Sequence, residues 1–193
     1  SKLSPKQWAQ VRTNAFKKWF GDWEKAVRIE KLKKSESVIA KWDDFSGLYE
    51  LNKDAAENYI LEHLRDKYKN DDTGQYINIS RKSVKVMHHD AESDIHIKSV
   101  ALIPQMIQKA IFIEEVANEK TEGKFDSYRY YVVGVKLDGV NYTAKMVVGV
   151  KGNETYYDHA LTEIEKSDLI NQIDLVNAQV YDNEIALSRI KDK

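Results

Sequence analysis

Residues 128–150, YRYYVVGVKLDGVNYTAKMVVGV, constrain the fold more than any other stretch of the chain. Two runs rich in β-branched and aromatic residues flank Asp138 and Gly139. An Asp-Gly pair suits a two-residue hairpin turn, because both central positions of that turn need positive φ. Leu137 then meets Val140, and the pairing follows outward along both strands. One face carries Arg129, Tyr131, Val133, Val135 and Leu137 against Val148, Met146, Ala144, Tyr142 and Val140, and its apolar character marks it as the buried one. The other carries Tyr128, Tyr130, Val132, Gly134 and Lys136 against Gly149, Val147, Lys145, Thr143 and Asn141. Its mixture of aromatics, a hydroxyl and cations suits a polyanion with bases.

The run ETYYDHALTEIE follows a Gly152–Asn153 turn and adds a third strand. Register decides its chemistry, because a slip of one residue exchanges the faces. A loop of two or four residues sets His159 opposite Met146 on the apolar side; a loop of three sets it opposite Lys145.

Upstream, Asn52 is a plausible N-cap for KDAAENYILEHLRDKYK, an amphipathic helix with Ala56, Tyr59, Ile60 and Leu64 on its apolar stripe, stopped by NDDTG. His63 beside that stripe reads as structural. QYINIS reads as a strand. IHIKSVALIPQMIQKA reads as a helical stretch broken at Pro104, which suits the first turn of a second short helix, and His96 reads as a helix-surface residue. IFIEEV is the next strand. Near the amino terminus, WAQVRTNAFKKWFGDW places Trp8, Val11, Ala15, Phe16, Trp19, Phe20 and Trp23 at helical spacing, ended by Gly21, a stripe for the core or for a partner groove. Residues 24–37 read as a solvated helix or linker. The organisation predicted is a helical extension over residues 1–51, an α+β domain over 52–166 and an acidic helical tail over 167–193.

At 193 residues one main domain is expected. The formal net charge of -1 does not advertise a nucleic-acid binder, but Lys and Arg crowd residues 1–34 while acids crowd residues 154–193. No cysteine is present, which excludes disulfides, thiolate zinc sites and cysteine nucleophiles. No apolar run reaches the length of a membrane span, so a soluble, cytoplasmic protein is expected. Phosphate-binding loops, dinucleotide fingerprints, nucleophile elbows and the zincin pattern are missing, and neither a metal site nor a cofactor is expected.

What remains is a metal-free set of His, Lys, Arg, Tyr and Thr. The stretch ISRKSVKVMHHD, residues 79–90, gathers three cations and two adjacent histidines. That inventory suits RNA transesterification, in which a base removes the 2′-hydroxyl proton, an acid protonates the leaving oxygen and cations stabilise the phosphorane. Histidine serves either role near neutrality.

Four stretches in order, GQYINISRKSVKVMHH, VALIPQMIQKAIFIEE, RYYVVGVKLDGVNYTAKMVV and ETYYDHALTEIE, resemble the third of the large polyvalent protein-associated domains, found in long polypeptides of phages and conjugative elements. AFKKWFGDWE is similar to a segment that recurs ahead of effector domains in such polypeptides. The resemblance implies the fold shared by barnase, EndoU, the RNase colicins and RelE. That fold is α+β, with amino-terminal helices followed by an antiparallel sheet, a helix inserted between the first strands, and an open face that cleaves RNA without metal.

It implies Ser80 and Lys82 for the family's Ser-x-Lys pattern, Lys85 for the following lysine, His88 or His89 for its histidine and Lys145 for the basic position of the central strand. The closing motif falls on Tyr157, Asp158, His159 and Thr162. In the mechanism so implied, His159 and His88 or His89 share the acid and base roles, while Lys145 and Lys82 hold the phosphate. Thr162 or Ser80 positions it, and Tyr130 or Tyr156 stacks a base, with Lys85 and Thr143 completing the substrate-binding set. His159 and Lys145 must then project from one open face, which requires an odd residue count or a bulge after Val150. The expected protein is a metal-independent ribonuclease of toxin or effector type, with RNA as substrate and an immunity protein as a candidate partner. The alternatives are a non-catalytic RNA- or protein-binding module, and an ADP-ribosyltransferase-like effector, for which no Arg, Ser and Glu set appears in order.

Overall fold

The structure, a computed structural model, describes residues 23–81, 94–118 and 125–167. The elements in chain order are α1 (Trp23–Lys34), β1 (Val38–Ala40), α2 (Lys53–Tyr59), β2 (Lys67–Lys69), β3 (Tyr76–Asn78), α3 (Asp94–Lys98), α4 (Ile103–Lys109), β4 (Ile111–Ala117), β5 (Ser127–Leu137), β6 (Val140–Lys151) and β7 (Glu154–Glu165). The fold is α+β, as expected.

β5 and β6 form the predicted hairpin in the predicted register, from Leu137 opposite Val140 to Ser127 opposite Val150. Asp138 and Gly139 both take positive φ, 52° and 81°, as a two-residue turn of this kind demands. The backbone N–H of Trp42 donates to the Asp138 carboxylate at 2.8 Å and fastens the hairpin tip to the chain leaving β1.

Among the described residues the sheet runs β1-β5-β6-β7-β3-β2, with β4 also paired to β5. β5 divides one edge between two partners. β1 lies parallel beside Val135–Leu137, and β4 lies antiparallel beside residues 127–132. β3 joins β7 in parallel, Asn78 opposite Tyr156. The sheet is thus mixed, where an antiparallel one was expected. Parallel neighbours need long crossover connections, and here the intervening chain, helices and further strands together, supplies them. β1 also lies in the segment expected to be a helical extension, yet it is a strand of the same sheet.

Asn52 caps α2, its side-chain oxygen accepting from the N–H of Ala55 at 2.9 Å. The helix then widens into one π-turn, Ile60–Leu64, and stops there instead of running on to NDDTG. Arg65 turns to extended backbone, the Tyr68 hydroxyl donates to the freed carbonyl of Leu64 at 3.0 Å, and Lys67–Lys69 becomes β2. Pro104 sits in the first turn of α4, where its missing N–H costs nothing.

The core lies between the helices and one face of the sheet. Ile60, Leu64, Val100, Ile103, Met106 and Ile107 pack on Tyr131, Val133, Val135, Leu137, Ala144, Met146 and Val148. Fully buried Asn70 ties the turn after β2 to the end of α4. Its amide donates to the carbonyls of Ile107 and Ala110 at 2.8 and 2.7 Å, and its oxygen accepts from Thr73. The Tyr49 hydroxyl donates to the carbonyl of Ile97 at 2.9 Å, so the segment after β1 is locked onto α3.

Candidate functional site

The candidate chemistry converges on β7. Across the two-residue Gly152–Asn153 turn, Glu154 faces Lys151, and this register holds as far as Asp158 opposite Val147. It then jumps, so that Glu163 faces Lys145 and Glu165 faces Thr143. Residues 159–162 bulge out opposite Met146, and the Thr162 hydroxyl closes the bulge by donating to the carbonyl of Asp158 at 3.0 Å.

Because the turn has two residues and the bulge begins after Asp158, His159 keeps the side of Thr155 and Tyr157, the helix-covered side. Its exposure is 1%. The imidazole stacks on that of His96 from α3, centroids 4.1 Å apart and planes 15° from parallel. His159 Nδ1 shares a 2.8 Å hydrogen bond with the Tyr157 hydroxyl. His96 Nε2 lies 2.9 Å from the carbonyl of Thr162, which only accepts, so this nitrogen carries a proton. His159 Nε2 has no hydrogen-bond partner. Burial, and secondarily the neighbouring His96, push His159 down to about 3, against a smaller opposing contribution from the His96 backbone. Burial also lowers His96. At neutral pH the pair is uncharged; His96 is half-buried, while His159 is sealed. A general acid or base must come within hydrogen-bond reach of a substrate proton, and this imidazole has no surface with which to do so.

The opposite, open face has a different character. Lys145 lies 3.1 Å from a Glu165 oxygen and 3.5 Å from a Glu163 oxygen. Across the neighbouring row run Glu114, Tyr130, Val147 and Asp158. Tyr130 is 37% and Val116 45% exposed. Glu163 and Glu165 thus hold the central lysine, Asp158 and Glu114 lie in the neighbouring row, and Lys136 and Lys151 lie toward the strand ends. At one end Phe125 lies flat over Gly149, where any Cβ would sit 2.4 Å from the ring, and it meets the rings of Tyr128 and Tyr156 at 5.7 and 6.0 Å.

The required meeting of His159 with Lys145 is therefore not made; the two stand on opposite faces of the sheet. Lys82, Lys85, His88 and His89 lie outside the described residues. Ser80 is half-buried just past β3. Thr143 is fully buried on the open side, hydrogen-bonded with Ser167. Tyr156 is half-buried, its hydroxyl donating to Glu154. Thr162 is fully buried in the bulge. His96, expected on a helix surface, is instead the stacking partner of His159. Flanking Ile95 and Ile97 gave no sign of this, because the contact spans more than sixty residues of chain.

Two cavities lie apart from these groups. One of about 470 Å³ lies between α3 and the hairpin tip, lined by Asp94, Lys98, Leu137, Tyr142 and Ile164 among others. Another of about 400 Å³ includes Lys67, Asn78, Arg129, Glu154 and Thr155. Neither is lined by His159 or Lys145. Among the described residues, no helix is long and apolar enough to cross a membrane.

No curated protein and no solved structure matches the chain. Residues 49–157, more than half of the sequence, match the family described as large polyvalent protein-associated domain 3. The match spans α2, the α3–α4 region and the β5–β6 hairpin, and ends at Tyr157, at the threshold of the bulge. The chain belongs to the large polyvalent protein-associated domain 3 family.

Proposed function

We propose that this domain is a non-catalytic protein-docking module of a polyvalent protein, and that its docking surface is the open face of β4 to β7. The observation that carries this reading is the separation of His159 from Lys145. Metal-independent RNA cleavage needs an accessible imidazole and an available cation around one phosphate. Here the His159 imidazole is 1% exposed, and the Lys145 ammonium is already held by two carboxylates on the other face. A phosphate approaching Lys145 would meet Glu163 and Glu165 at 3.5 and 3.1 Å from the ammonium, and like charges at that range repel. The same surface suits a basic polypeptide carrying apolar side chains, since it offers Tyr130 and Val116 beside the carboxylates. On this reading no immunity partner is needed.

The test is incubation of the full chain with mixed RNA in EDTA between pH 5 and 8, beside His159→Ala. The expected result is intact RNA with both proteins. Cleavage by the parent that is lost in His159→Ala would overturn the reading and establish the ribonuclease.

A further inference from the structure

The open face raises the question of what covers it, and the chain carries a segment of matching chemistry. α1 runs along the outer edge of β4: Arg28 sits over the Phe112 ring, 5.3 Å from its centroid, and Lys31 pairs with Asp72, whose carboxylate also accepts the N–H of Phe112. Phe112 stands opposite Tyr131, so α1 meets β4 from the covered side; residues 1–22 directly precede α1 in the chain, and β4 also carries Glu114 and Val116 of the open face. They hold five cations, Lys2, Lys6, Arg12, Lys17 and Lys18, against one acid, Asp22. Their helical spacing gathers Trp8, Phe16, Trp19 and Phe20 into one stripe.

The face opposite offers the complement. Glu114, Asp158, Glu163 and Glu165 ring a central area in which Tyr130 is partly exposed, and Val116 adjoins it. Residues 168–193 have five acids and three bases, the wrong sign for this surface. Salt-sensitive attraction between exposed charges would orient the segment, and burial of its aromatic stripe would hold it.

Building on the docking reading above, we infer that the first occupant of the open face is the chain's own amino-terminal segment, residues 1–22. A basic, aromatic segment of another protein would then have to displace it, which makes the segment a built-in competitor for the docking surface.

The absence of cysteine allows a direct test in the full chain. Lys18→Cys is combined with Glu114→Cys on the open face, or with Gln108→Cys at an exposed position of α4 as the control, and disulfide formation under mild oxidation is timed. The inference expects cross-linking to Glu114→Cys to be at least about tenfold faster than to the control, a preference set by effective concentration. Adding Glu163→Lys and Glu165→Lys should slow it roughly threefold to tenfold, the size expected for losing two exposed charge pairs.

Equal rates for both partners would overturn the inference, as would faster cross-linking from Ser188→Cys in the carboxyl-terminal tail. A synthetic peptide of residues 1–22, added in trans to the full chain, separates the two proposals. If it binds the parent but not the Glu163→Lys, Glu165→Lys chain while the intramolecular cross-link fails, the docking face stands and its own-segment occupant falls. If neither peptide nor segment engages the face, both fall.

Discussion

Strands β6 and β7 present two chemistries on opposite sides of one pair of backbones. On the covered side Met146, Val148, Tyr157 and His159 are each within 1% of fully buried. On the open side Lys145, Asp158, Glu163 and Glu165 form a charged array. Simple alternation accounts for the division as far as Asp158, and the bulge accounts for the rest. Had the first register continued, Lys145 would face Ala160, and Thr162 would stand opposite Thr143 on the open side. The bulge sends Thr162 into the interior, where it closes on the Asp158 carbonyl, and brings Glu163 and Glu165 to Lys145. The two-residue turn thus sets His159 on the covered side, and the bulge brings the carboxylates to the lysine.

The largest effect expected from comparing the faces is energetic. Met106 is fully buried against the covered side, and Met106→Ala should cost about 2–5 kcal/mol by lost transfer energy and the cavity left behind. Tyr130→Ala on the open side removes a partly exposed ring, and its cost should stay below about 1 kcal/mol if that side is a solvated surface. Urea unfolding of both variants gives the ratio. Comparable losses would mean that Tyr130 is under a docked cover, which bears directly on the amino-terminal segment.

The split between faces was legible along the hairpin, where Asp138 and Gly139 fix the turn and the turn fixes every cross-strand pair. It was not legible in the bulge. The sequence DHALTEI contains neither glycine nor proline, and the bond that closes the loop comes from an ordinary threonine hydroxyl to a backbone carbonyl. The His96 stack was hidden for a second reason, because a contact between remote segments leaves no local period. β1 and β2 were missed because three residues are too few to show alternation. The mixed pairing went unforeseen because it depends on where crossovers land rather than on strand composition. The candidate site was therefore named residue by residue, but its geometry was not.

Acid should distinguish the faces next. The folded-state value of His159 lies near 3, below its ordinary 6.5, so the native state prefers the neutral ring. Its contribution to stability is complete above pH 6.5 and is lost progressively as pH falls toward 3. Glu30 and Glu115 are held below their ordinary value by Lys34 and by Ser127 with Arg129, so their own contributions fall beneath the window from 6.5 to 4.5. The groups facing His159 are His96 from α3 and Tyr157 and Thr162 from β7, and no carboxylate among them forms an ion pair with the ring. His159→Phe, which keeps the stack and removes the titration, should flatten the urea midpoint across that window, leaving the smaller slope due to His96. An unchanged slope would mean that His159 takes up its proton without opening the core.

The smallest effect belongs to Lys145. Its side chain is 39% exposed and its two carboxylate partners are 61% and 46% exposed. Ion pairs of that exposure contribute between about 0 and 1 kcal/mol, because water screens the attraction and both side chains lose rotamer freedom. Lys145→Ala should therefore shift the urea midpoint only slightly at 0.15 M salt, and the shift should shrink further at 1 M, where the screening length is about 3 Å. Its effect on ligands should run the other way from that of a phosphate-binding lysine. Removing it leaves Glu114, Asp158, Glu163 and Glu165 with less compensation, so a basic peptide should bind the variant more tightly than the parent, and RNA less well still. Weaker peptide binding together with loss of RNA binding would return Lys145 to the role of phosphate ligand and take the docking proposal with it.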